Sequence, residues 1–135
     1  MTTSPSRTRS RYAEVVLIVF GVYSVLIGLF MMLAPGAFFD TLGNFGTGND
    51  HYIFDNATFE LPLGVLLLAA VRWPSWRVPA LAFATLHWGL HALSHILDSH
   101  HGAGQWVGLL EFAGLAVTTV LLAIALRYSI IDEKS

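Results

Sequence analysis

The sequence contains no cysteine. That absence excludes disulfides, thiolate metal sites, iron–sulfur clusters and thiol catalysis. Charge is also scarce. Only 12% of the 135 residues are Asp, Glu, Lys or Arg, against roughly 25% in soluble domains. The net charge of −2 gives no basic face of the kind nucleic acid requires. There is no internal repeat and no low-complexity tract, and the length suits one domain. So short a chain leaves no room for a separate soluble catalytic domain, so a non-enzymatic role is the first expectation.

What is present is apolar: 55% of the residues are hydrophobic. A spanning helix needs about 20 mostly apolar residues. Segments 12–34, 53–71, 78–97 and 105–127 are each read as one. The apolar run 15–33 is too long for a signal-peptide core of about 7–15 residues, so it is expected to be a retained helix. The second segment carries Asp55, Asn56 and Glu60 in its first half and Pro62, a potential kink. Pro79 falls in the first turn of the third, where proline is tolerated. Residues 37–42 suggest a short interfacial helix, followed by a glycine-rich loop over 43–50. The predicted fold is therefore an all-α membrane protein, a four-transmembrane-helix bundle over 12–128. It is flanked by a disordered tail, 1–11, and a second tail, 129–135.

Basic residues set the expected orientation. Arg7, Arg9, Arg11, Arg72, Arg77, Arg127 and Lys134 are all the Lys and Arg in the chain. With four spans they share one side, and the other side carries Asp40, Asp50 and Asp98. The positive-inside rule then places both termini in the cytoplasm. Trp73, Trp76 and Tyr128 suit an inner aromatic belt, and Tyr52 and Trp106 an outer one.

Membrane helices pack through small residues and polar side chains hidden from lipid. Residues three and four apart on a helix share a face, which gives each segment one such stripe. The first has Glu14, Gly21, Ser24 and Gly28; the second has Tyr52, Asn56, Glu60 and Gly64. The third has His87, His91, Ser94, His95 and Asp98; the fourth has Gly104, Gly108, Glu111 and Thr118. Glu14 lies near the cytoplasmic edge and should meet an arginine such as Arg77 or Arg11. Counting depth at about 1.5 Å per residue puts Glu60, His91 and Glu111 at one level in the outer half. Asp50, His51, Asp55, Asp98, His100 and His101 would form a polar shell at the outer mouth.

Two histidines four apart on a helix can hold one metal ion. Glu60, His87, His91, His95 and Glu111 are thus candidate ligands for a transition metal, with zinc, iron, copper or nickel all compatible with imidazole and carboxylate. A bis-histidine haem is disfavoured, because it needs ligands from facing helices, all the membrane-embedded histidines are on the third segment, and only His51, in a loop, could partner them from elsewhere. Three readings stay open. The polar cluster packs an accessory or structural membrane component; it binds a metal or cofactor for redox work; or it serves a proton-coupled or lipophilic small-molecule carrier. Intramembrane ionisable groups are functional candidates by default. The lipid bilayer is the expected partner, with a homo-oligomer or a larger membrane complex as further possibilities.

The N-terminal arginines, the glycine-bearing first segment and the run Phe59-Glu60-Leu61-Pro62-Leu63-Gly64-Val65-Leu66-Leu67-Leu68 together resemble the DoxX-like superfamily. So does the tract 76–98 with its histidines. Members are small four-helix membrane proteins in which a glutamate, a glycine and a leucine-rich run mark the second helix. Of that pattern Glu60 and Gly64 map residue by residue. The resemblance implies a bundle in the bacterial inner membrane and little about activity: the founding members are linked to a thiosulfate:quinone oxidoreductase, and most relatives have no assigned role.

Overall fold

The computed structural model describes residues 7–44, 46–97 and 105–134, without the side chains of 105–107. Five α-helices appear among them: α1 Arg7–Leu33, α2 Pro35–Thr41, α3 Asp50–Arg72, α4 Arg77–Leu97 and α5 Gln105–Glu133. A 3-10 turn, Pro74–Trp76, joins α3 to α4. Local chemistry sets the boundaries. Pro35 opens α2, where its fixed φ suits a first turn. Asn49 caps α3 by accepting from the Tyr52 amide at 3.1 Å, and Asp50 in the first turn suits the helix dipole. Gly46, at φ +70°, takes the left-handed turn that glycine adopts without strain.

Two helices run beyond the expected apolar segments. α1 starts at Arg7, so residues 7–11 of the expected tail are helical, and α5 continues to Glu133 through most of the second tail. The reason is pairing between the ends. Arg9 donates to Asp132 at 3.0 Å, and Tyr12 donates to the Leu121 carbonyl at 3.2 Å and meets the ring of Tyr128 edge-on at 5.5 Å. Residues 1–6 and 135 lie outside the described residues. α3 stays helical across Pro62.

The same end of the bundle holds a second clamp. Arg77 donates to Glu14 at 2.7 Å, to Ser10 at 3.2 Å and to the Ala70 carbonyl at 3.3 Å. Glu14 thus takes Arg77 of the two arginines expected. The start of α1, the end of α3, the start of α4 and the end of α5 therefore sit together.

α1 packs along α3, and α4 along α5; α3 and α4 meet over a shorter stretch. Leu17, Leu67, Leu81 and Leu122, one from each long helix, are fully buried in a shared core. Gly21, Ser24 and Gly28 are buried on α1. On α3 the packed face is Ile53, Ala57, Gly64 and Leu67. The expected stripe is corrected there: Tyr52 and Asn56 are exposed. The close α1–α3 crossing sets this. A Cβ on Gly64 would stand 2.6 Å from the Val25 amide nitrogen, and one on Gly28 2.8 Å from the Leu61 amide. With backbones that near, the next contact along α3 must also be small, and Ala57 fills it. A smaller cluster of Met31, Ile53 and Ala57 lies under Phe38 and Phe39 of α2.

Three helical segments are long and apolar enough to cross a membrane: Arg7–Leu33, Asp50–Arg72 and Gly108–Glu133. The fourth expected span, α4, is not among them. Its 21 residues suffice in length, but His87, His91, His95 and Ser94 lower its mean hydropathy. Large apolar side chains face outward on the three apolar helices, including Val15, Val19, Leu26, Val65, Val117 and Val120.

Candidate functional site

α4 carries the chemistry. Its inward stripe is Ala80, Leu81, Ala84, Trp88 and Ala92, whose three alanines let α5 come close. Trp88 anchors the middle, 4% exposed and edge-on to Phe20 at 5.3 Å and Tyr23 at 5.4 Å. Fixing that face turns His87, His91 and His95 to its edge, in one row along the helix. Neighbouring rings are stacked obliquely, with centroids 6.0 Å apart for His87–His91 and 4.9 Å for His91–His95.

A glutamate from a different helix meets each end of the row. Glu60 of α3 lies 2.8 Å from His87 Nε2 through Oε1, the two side chains being 12% and 21% exposed. An ionised Glu60 can only accept, so His87 Nε2 is the donor and its Nδ1 keeps a lone pair. Glu60 Oε2 is buried and has no hydrogen-bond partner among the described residues. Glu111 of α5 lies 3.2 Å from His95 Nδ1. That contact is too poorly aligned to rank as a hydrogen bond and acts as an electrostatic one. Between the ends, His91 Nε2 and His95 Nε2 are 3.1 Å apart. A proton on His95 Nδ1, the nitrogen that faces Glu111, would make His91 the donor and His95 Nε2 the acceptor in that contact.

Of Glu60, His91 and Glu111, expected at one level, Glu60 and His91 stay together and Glu111 is set apart by this pairing. Glu60 and His91 share a neighbourhood with His87: one donor atom from each of the three lies within 4.8 Å of the other two. Glu111 instead sits two turns from His87, against His95. Of the expected outer shell, Asp50, His51 and Asp55 are exposed on the first turns of α3, with His51 Nε2 3.6 Å from Asp55 Oδ2. Asp98, His100 and His101 lie outside the described residues, as do Gly104 and the side chain of Trp106.

Phe59 was not singled out in the sequence. Its ring covers His87 at 4.8 Å and also touches Phe83 at 5.6 Å. The available signal was its place beside Glu60, since a residue flanking a buried carboxylate is set to shield it. The resulting set offers two imidazoles and a carboxylate from two helices, a donor chemistry that suits zinc, iron or copper(II).

No curated protein and no solved structure matches the chain. The likeness to the DoxX-like superfamily drawn from Glu60 and Gly64 gains no support from the comparisons. A family described as a domain of unknown function (DUF4345) does match, over residues 12–110. The match takes in Glu60 and the three histidines and ends one residue before Glu111. Covering most of the sequence from α1 into α5, it shows that the chain belongs to this DUF4345 family.

Proposed function

We propose that the chain is a four-span membrane protein, both termini cytoplasmic, that binds one transition-metal ion at Glu60, His87 and His91. The observation that carries the metal assignment is the approach of these three donors to within 4.8 Å. The Oε2 of Glu60, buried and without a hydrogen-bond partner among the described residues, supports it, because a buried acceptor without a partner calls for an explanation and a cation supplies one.

Four spans follow from connectivity and charge. The short turn Pro74–Trp76 makes α4 the antiparallel neighbour of α3. If α1, α3 and α5 alone crossed, Arg127 and Lys134 would lie opposite Arg7, Arg9 and Arg11, against the positive-inside bias. With α4 crossing as well, all seven basic residues share one side. The histidines that lower its hydropathy are offset by Glu60 and Glu111 from its neighbours. The DoxX-like resemblance supports the same bundle and a bacterial inner-membrane location.

A second reading has its own observation. The 2.8 Å contact between Glu60 and His87 bridges the short α3–α4 seam, which suits a packing device in an accessory component of a larger membrane assembly. Elemental analysis of detergent-purified protein, prepared without chelators, separates the two. The metal reading expects about one zinc, iron or copper per chain in the native protein and loss of that metal in His91→Ala. Clearly substoichiometric metal in the native protein, together with destabilisation of His91→Ala, supports packing alone.

A further inference from the structure

The row contains two overlapping histidine pairs, each four residues apart. His87 and His91 belong to the Glu60 site; His91 and His95 form the next pair outward, with Glu111 behind. We infer that His91 and His95 make a second cation subsite, a loading position that passes a divalent transition-metal ion inward to Glu60, His87 and His91. This rests on the metal reading above.

Three features support it. First, the two Nε2 atoms stand 3.1 Å apart. Nitrogens bound to one tetrahedral zinc at about 2.0–2.1 Å are separated by roughly 3.3 Å, so an ion can take the place of the shared proton with little movement. Second, Glu111 faces His95 Nδ1 at 3.2 Å. A carboxylate beside the far nitrogen favours a proton there electrostatically and leaves the Nε2 lone pair to the ion, the role that hydrogen-bonded carboxylates play behind ligating histidines. Glu111 is here a positioning residue. Third, His91 is the exposed member of the row, while His87, His95 and both glutamates are partly buried. It is the donor an arriving ion meets first, and both pairs contain it.

Charge gives the direction. The inner site offers the Glu60 carboxylate as a direct ligand, whereas the outer site meets Glu111 only through His95. Stripping water from a divalent ion in apolar surroundings is costly. Because His91 is common to both sites, the ion exchanges His95 for His87 and Glu60 one ligand at a time and is never bare. Sharing His91 also means that one ion, not two, is held at equilibrium.

The test is cobalt(II) binding to full-length, metal-free protein in detergent, followed by its visible absorption at equilibrium and by stopped flow. His95→Ala, His95→Gln and Glu111→Gln should slow loading about tenfold or more while equilibrium affinity moves less than about threefold; His87→Ala should cost affinity about tenfold or more, the scale on which disturbed metal sites respond. His95→Gln retains a polar side chain toward Glu111 without an imidazole lone pair, and unchanged helical circular dichroism confirms that each variant is folded. Unaltered loading in all three outer variants overturns the subsite. So does an affinity loss in His95→Ala as large as in His87→Ala, which would make His95 an ordinary ligand of a single site. Absence of cobalt binding to the native protein would instead sink the metal reading itself, and the subsite with it.

Discussion

Glu60 divides its two oxygens between two environments. One lies 2.8 Å from His87, and the other is buried with no hydrogen-bond partner among the described residues. Glu60→Gln keeps the shape and one hydrogen bond but removes the negative charge. It should leave the protein folded, with a melting temperature within a few degrees of native, and abolish metal retention measured by elemental analysis. Ser24 is the opposite case. Its hydroxyl is fully buried against α3 without a partner among the described residues. Ser24→Ala should therefore be neutral or stabilising by up to about 1 kcal/mol, the scale of an unmet polar group, as read from detergent-solubilised thermal melts. The ionisable residues of the site stood out in the sequence because charge inside an apolar run is costly and rare. Their pairing did not. Counting rise from helix ends treats the helices as untilted and level, and an error of one turn, about 5.4 Å, suffices to bring His87 as well as His91 to the level of Glu60. The same error leaves Glu111 opposite His95.

The most extensive element contact is the crossing of α1 and α3. Gly21, Gly28 and Gly64 let the two backbones touch, and a Cβ at any of them would fall within 3 Å of the neighbouring helix. Gly64→Leu should separate the pair at a cost of about 3 kcal/mol or more, above the usual range for overpacking because backbone rather than a side chain must yield. Loss of the cooperative melt, or a fall in melting temperature of many degrees, is the readout, with Val65→Leu on the exposed face as the silent control. The glycines of α1 and Gly64 were legible from their spacing. Two positions of the α3 stripe were misjudged, since polar Tyr52 and Asn56 were placed inward where Ile53 and Ala57 pack. In the first turns of α3, small size at the α1 contact outweighs polarity. On the four-span reading proposed above, hydropathy alone misjudges α4. Three histidines depress it, yet Glu60 and Glu111 on neighbouring helices offset them, and that compensation is visible only once the helices are side by side.

Across the whole molecule, the termini and the turn at Pro74–Trp76 share one end, tied by Arg9–Asp132 and Arg77–Glu14. The loop before α3 lies at the other. Since the sequence has no cysteine, single cysteines report side without background. Lys134→Cys should be shielded from a membrane-impermeant maleimide in intact cells and Thr47→Cys labelled; the reverse pattern would invert the orientation. A three-span protein would label Lys134→Cys while residue 7 stayed protected. The basic residues made this asymmetry readable from the sequence, and the end-to-end ion pairs give it a structural basis. The polar row runs from His87 toward the opposite end, so a metal ion held there is reached from the side away from the arginines.

The coordination of a bound ion is the quantity on which this picture turns. Zinc X-ray absorption on the full-length protein loaded with one equivalent should show two imidazoles and a carboxylate oxygen, with bonds of about 2.0–2.2 Å. The imidazole scattering should fall in His87→Ala. A shell of oxygen ligands without imidazole scattering, or a spectrum identical in native protein and the Glu60→Gln, His87→Ala double variant, would contradict a site at Glu60, His87 and His91.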